Sequence, residues 1–104
     1  MPGDDLMVGV PPEVVRMQGV LAARSRMVVL RQLLDEPRTF GELRARVDLS
    51  AAGVRAALSD LAELGYVSDD SPGGRQRKAV SARFTVDRDL VLGDVMALVV
   101  YLLR

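Results

Sequence analysis

The chain contains no cysteine and no histidine, and those two gaps remove more chemistry than any other feature of its composition. Without them there is no thiol nucleophile, no imidazole base and no soft metal ligand, which excludes most zinc and thiol chemistry. The serines have no imidazole partner, Gly73-Gly74 lacks the Gly-x-x-x-x-Gly-Lys setting of a phosphate-binding loop, and the carboxylates form no recognisable pair by spacing. The expectation is a protein that is not an enzyme, with no catalytic residue, no metal site and no cofactor.

Net charge is also lacking. The 14 Lys and Arg balance the 14 Asp and Glu, so any attraction to a polyanion must come from local clustering. Such a cluster exists: between Pro72 and Thr85 the charged residues are Arg75, Arg77, Lys78 and Arg83, with no carboxylate. A membrane-length apolar run is missing too. The most apolar stretch, Leu90 to Leu103, is interrupted by Asp94 and is shorter than the roughly 20 residues a spanning helix needs. It reads as a packing helix. The start, Met-Pro-Gly-Asp-Asp, carries no basic secretory n-region, which leads to an expected cytoplasmic location.

At 104 residues the chain suits one domain, burying roughly two-thirds of its unfolded surface without a disulfide. Residues 1–11, with Pro, Gly and Asp and no periodicity, read as a loose arm, and residues 12–104 as the domain. Pro11 and Pro12 before Glu13 suit a helix start, because Pro tolerates the first turn and a carboxylate favours the positive end of the dipole. That helix is expected to reach Arg24. Ser25 could cap a second helix through Leu34, unless the two form one bent helix, and Pro37 closes the segment.

Thr39-Phe40-Gly41-Glu42 matches a capping box, so a short helix begins at Phe40. Its apolar positions are Phe40, Leu43 and Val47, leaving Arg44 and Arg46 toward solvent. Ser50 caps the next helix, which buries Val54, Leu58, Leu61 and Leu64 and stops at Gly65, where Gly most easily takes the left-handed conformation. Two helices so joined, over residues 40–64, make a helix-turn-helix. Beyond it the period becomes two: Tyr66-Val67-Ser68 reads as a strand, Ser71-Pro72-Gly73-Gly74 as a turn, and Ala79 to Val86 as a second strand with Val80, Phe84 and Val86 inward. Residues 66–86 therefore form a wing, and Asp87 or Asp89 caps a last helix, 89–104.

The fold class read from this pattern is mainly α with a small β-hairpin, a winged helix-turn-helix. The stretch Leu21-Ala22-Ala23-Arg24-Ser25-Arg26-Met27-Val28-Val29-Leu30, then Glu42-Leu43, Leu49-Ser50, Val54, Leu58, Leu61 and Gly65-Tyr66-Val67, resembles the ArsR-like bacterial winged-helix repressors over residues 20 to 86. The resemblance implies a homodimeric transcriptional regulator whose terminal helices form the dimer contact. It does not imply metal sensing through thiolate or imidazole, since those ligands are absent.

On that reading double-stranded DNA is the partner. The front of the second motif helix is Ser50, Ala51, Ala52, Gly53, Arg55, Ala56 and Ser59, in which Arg55 is the strong base reader and the alanines can contact thymine methyls. Asp60 and Glu63 on the same helix would repel phosphates. Arg75, Arg77 and Lys78 at the wing tip suit phosphate or minor-groove contact, and Arg38, Arg44 and Arg46 suit phosphate contact beside the motif. The last helix carries two apolar stripes, Val91, Val95, Leu98 and Leu102 on one and Leu92, Met96, Val99 and Leu103 on the other. One stripe suffices for the domain, so the second, joined by Met17, Val20 and Leu21 of the first helix, is the expected dimer face. The zero net charge and the reader-poor helix leave a second reading open, a winged helix used as a protein-interaction or assembly module. A further expectation is that an unidentified effector or protein partner could bind.

Overall fold

Pro11 and Pro12 open the first helix of the computed structural model, which describes residues 9–70 and 82–104. The helix, α1 (Pro12–Leu21), buries Val14, Met17 and Val20 at three-residue spacing on one face. It stops short of the expected Arg24 because Ala22 stays helical while Ala23 turns to φ −137°, ψ 125° and becomes the N-cap of α2 (Arg24–Asp35). Two separate helices result. Ser25 is therefore not the cap, and no side-chain cap is present at that helix start. At the other end Glu36 is extended, at φ −169° and ψ 160°, as the residue before Pro37 is sterically driven to be.

Among the described residues, three short strands form one antiparallel sheet in the order β1-β3-β2, with β1 at Arg38–Thr39, β2 at Val67–Asp69 and β3 at Arg83–Val86. The pair expected from the alternating pattern is present, in the register Val67↔Val86 and Ser68↔Thr85. The added strand, β1, pairs Arg38 with Phe84 and Thr39 with Arg83. It anchors the stem of the wing to the start of α3 (Phe40–Arg46).

Local chemistry sets the helix ends around the motif. Thr39 Oγ1 accepts from Glu42 N at 3.1 Å while Thr39 N donates to Glu42 Oε1 at 2.9 Å, the expected capping box of α3. Ser50 Oγ accepts from Gly53 N at 3.0 Å and caps α4 (Ala51–Glu63). Gly65 closes α4 at φ 90°. The Gly65 and Tyr66 amides donate to the Ala62 and Leu61 carbonyls, each at 3.0 Å, the paired bonds that end a helix on a left-handed residue. Asp87 caps α5 (Arg88–Leu103) by accepting from Leu90 N at 3.1 Å.

Replacing Ser50 with alanine removes an acceptor from an otherwise unpaired helix amide and should cost about 1 kcal/mol of stability. Urea denaturation checks this, with Ser50→Asp expected to restore the cap. An alanine variant as stable as the parent would refute the assignment.

The core lies where α1, α2, α3, α4 and α5 converge over the sheet, with Val29, Leu43, Val54, Leu61 and Tyr66 buried at its centre. Phe84 and Val86 pack against it from β3, in keeping with the expected inward positions. α5 packs chiefly on α1, and α2 packs on α4. Among the described residues, no helix is long and apolar enough to cross a membrane.

Candidate nucleic-acid interface

The short α3 and the longer α4 meet across residues 47–50, and the front of α4 is open. Ala52, Arg55, Ala56 and Ser59 are exposed, Ala51 and Gly53 are half-buried, and the capping Ser50 is exposed at the tip. Val54, Ala57, Leu58 and Leu61 point the other way into the core. One helix thus divides cleanly into a buried face and a presented one, because its apolar residues recur with the helical period.

Electrostatics around this face are more favourable to an anion than the bare sequence implies. The Arg55 guanidinium lies over the Phe40 ring, 5.0 Å from its centroid. That contact holds the side chain without neutralising it. Arg44 is exposed on α3 and, among the described residues, has no ion-pair partner. Asp60 is engaged from behind by Arg26, whose Nη2 and Nε donate to Asp60 Oδ2 at 3.0 and 3.2 Å. Arg26 also donates to the Gly19 carbonyl, so the pair ties α4 to α2 and to the end of α1. Glu42 is occupied by the cap and by Arg83, 3.4 Å away. Its carboxyl is held below the ordinary glutamate value chiefly by the Thr39 amide, with Arg83 adding to the effect.

Several expected site residues fall elsewhere. Arg38 is not a surface phosphate contact. It is only 4 % exposed, and its guanidinium is shared among the Gln32 carbonyl at 3.1 Å, Asp35 at 2.7 Å and Glu36 at 3.3 Å. Strand pairing pulls it inward beside the end of α2, where it satisfies acceptors at a helix C-terminus. Arg75, Arg77 and Lys78, with Val80 of the expected strand, lie outside the described residues. Met17 and Val20 are core residues, 3 % and 2 % exposed, and are not available to a dimer face. Leu21 remains open, as do Leu92, Met96, Val99 and Leu103 along one side of α5.

A buried polar cluster went unread in the sequence. Asp94 is 2 % exposed, and Arg16 of α1 grips it twice, Nε to Oδ2 at 2.8 Å and Nη2 to Oδ1 at 2.9 Å. The Tyr66 hydroxyl donates to Asp94 Oδ2 at 2.7 Å. These bonds clamp α1, the exit of α4 and α5 together. The signal available in the sequence was a charge of opposite sign set beyond the first turn of each of these apolar helices, Arg16 in α1 and Asp94 in α5. Among the described residues no group of three or more His, Cys, Asp and Glu could hold a metal ion.

No protein-family model matches the chain, and no curated protein matches it. Solved structures do. An ArsR-like transcriptional regulator from Rhodococcus sp. RHA1 superposes with a TM-score of 0.66 over 83 % of this chain and 76 % of that one, at 17 % identity. A second structure, of an ArsR family transcriptional regulator, matches with a TM-score of 0.60 over 83 % of this chain and 84 % of its own, at 20 % identity. The fold of this chain is therefore an ArsR-like winged helix-turn-helix.

Proposed function

We propose that this chain is a sequence-specific, double-stranded-DNA-binding transcriptional regulator that acts as a homodimer. The observation that carries the reading is the presented face of α4, with Ala52, Arg55, Ala56 and Ser59 exposed together behind a capped N-terminus. Arg55 is the base reader, suited to a bidentate contact with guanine, and the alanines fit thymine methyls. Arg44 is a phosphate contact beside it. The wing, 66–86, brings Arg75, Arg77 and Lys78 to the backbone or minor groove. Glu63 lies about 12 Å farther along the α4 axis than Arg55, and Asp60 is already paired, so neither opposes the approach of phosphates to the helix start. The open face of α5 supplies the dimer contact, and two-fold symmetry selects an inverted repeat with half-sites about one helical turn apart.

Selection of bound genomic fragments, followed by anisotropy across a salt series, tests the reading. The expected result is an enriched inverted repeat with a log-log salt slope near −7 if about eight phosphates are neutralised. Arg55→Ala should weaken binding by about 5- to 150-fold for each half-site and relax preference at one base pair in each. Arg44→Ala, present in both protomers, should weaken all sequences alike and flatten the slope by about two units. No enriched sequence, or a flat salt response, overturns it. In that case, a stable complex with another protein that survives replacement of Arg55, Arg75 and Arg77 would identify an assembly module.

A further inference from the structure

Two clefts meet along α2. One, of about 850 Å³, lies between α1, α2 and α5 and is walled by Leu21, Met27, Leu30, Leu34, Val91 and Val95. The other, of about 550 Å³, lies between α2 and the end of α3 and carries Arg24, Arg31 and Arg46. Val28, Arg31, Gln32 and Arg46 line both. The two are thus halves of one trough, apolar toward α5 and basic toward α3.

The arginines of the basic half are little used by the fold. Among the described residues Arg24 and Arg31 make no ion pair, and Arg46 donates only its Nε, to Gln32 Oε1 at 2.9 Å, which leaves both terminal amino groups of the guanidinium available. Among the described residues, Asp48 is the one carboxylate lining this half. Asp35, at the apolar half, is held by Arg38 at 2.7 Å. Arg31 and Arg46 line both clefts, so their charge stands at the junction, where the head of a molecule bound by its apolar body would lie. The apolar half falls within the ~300–1,000 Å³ of small-molecule sites, and methionine walls such as Met27 adapt to flexible chains.

We propose that this trough binds an amphipathic anion, an alkyl chain ending in a carboxylate, with the chain between α1, α2 and α5 and the carboxylate between Arg31 and Arg46. Charge complementarity selects the head, and the continuity of the two clefts requires a long apolar body joined to it. The site does not depend on DNA binding, because none of its residues belongs to the presented face of α4.

Titration calorimetry of the intact chain with dodecanoate, below its micelle-forming concentration, tests this. The expected result is one molecule bound per protomer. Acetate and dodecanol should each bind at least about tenfold more weakly, the first for want of burial and the second for want of a charge-assisted contact. Octanoate should also bind at least about tenfold more weakly, since each buried methylene contributes up to about fourfold in affinity. Arg31→Ala with Arg46→Ala should raise the Kd for dodecanoate at least about tenfold while the circular dichroism spectrum is unchanged, both side chains being exposed. Met27→Ser should weaken dodecanoate and spare acetate. Absence of binding, equal affinity for dodecanol, or indifference to the double arginine replacement overturns the proposal. So does an apparent Kd that rises with protein concentration, which would put a second copy of the chain in the cleft.

Discussion

Replacing Asp94 with alanine is expected to destabilise the fold by about 3 kcal/mol, the low end of the cost of breaking a buried ion pair. The low end applies because Arg16 keeps about a third of its side chain in solvent (32 %) while Asp94 has 2 % exposed, so the stranded guanidinium can partly rehydrate. Two Arg16 donors and the Tyr66 hydroxyl lose their acceptor together. The corresponding drop in Tm is about 12–24 °C for a domain of this size. Arg16→Ala should also destabilise, and the double variant should lose less than the sum, by about 1–3 kcal/mol, because the two residues share one interaction. A melting point within a few degrees of the parent would show that the clamp contributes little.

The same cluster sets a pH dependence. The Asp94 carboxyl is held below its ordinary value chiefly by the Arg16 hydrogen bonds and further by the Tyr66 hydroxyl, against the opposing effect of burial. A group whose folded pKa is depressed stabilises above its unfolded value and loses that contribution as pH falls through the folded one. The gap between parent and Asp94→Ala should therefore narrow below about pH 4. Burial, with Asp94 as its acceptor, raises the Tyr66 phenol well above its ordinary value. Its contribution is present below about pH 10 and lost as pH rises beyond that. Denaturation midpoints of both proteins at acid and neutral pH check the sign.

What the sequence made legible was chemistry between near neighbours. The Thr39–Glu42 box, the Ser50 and Asp87 caps and the stop at Gly65 each join residues at most five apart, and each is present. The helical period of Val54, Leu58 and Leu61 likewise showed which side of α4 is presented. Long-range choices stayed hidden. β1 spans Arg38–Thr39 alone and exists only because β3 pairs with it, and that pairing buries an arginine which local sequence would leave in solvent. Asp94 reads as a break in an apolar run until Arg16, 78 positions earlier, is placed against it. The two stripes of α5 did separate Val91, which faces inward, from Leu92 and Met96, which face out, but its apolar residues occupy nearly the whole circumference, so periodicity could not say that Asp94 is buried or that Leu102 of the inner stripe is exposed.

That outward face carries the second large effect. On the proposed homodimer, replacing Met96 and Val99 with glutamate should convert dimer to monomer, raising the dimer dissociation constant by at least about 100-fold. Each unpaired carboxylate taken out of water costs several kcal/mol, and a two-fold interface meets every substitution twice. The face is coherent: Leu92, Met96, Val99 and Leu103 are 62 %, 53 %, 40 % and 81 % exposed along one side of α5. Because Met96 and Val99 already meet solvent in the protomer, its melting temperature at high dilution should be nearly unchanged, while affinity for an inverted repeat should fall by about 10²–10⁴ as two linked half-site contacts become independent. Sedimentation velocity on parent and variant decides the matter, and a parent that sediments as a monomer, or a variant of unchanged mass, defeats the homodimer. Met17→Glu provides the contrast. Met17 is 3 % exposed in the core between α1 and its neighbours, so a charge there should unfold the protomer itself. A surface that splits the dimer without unfolding it is thereby distinguished from one that simply holds α1 in place.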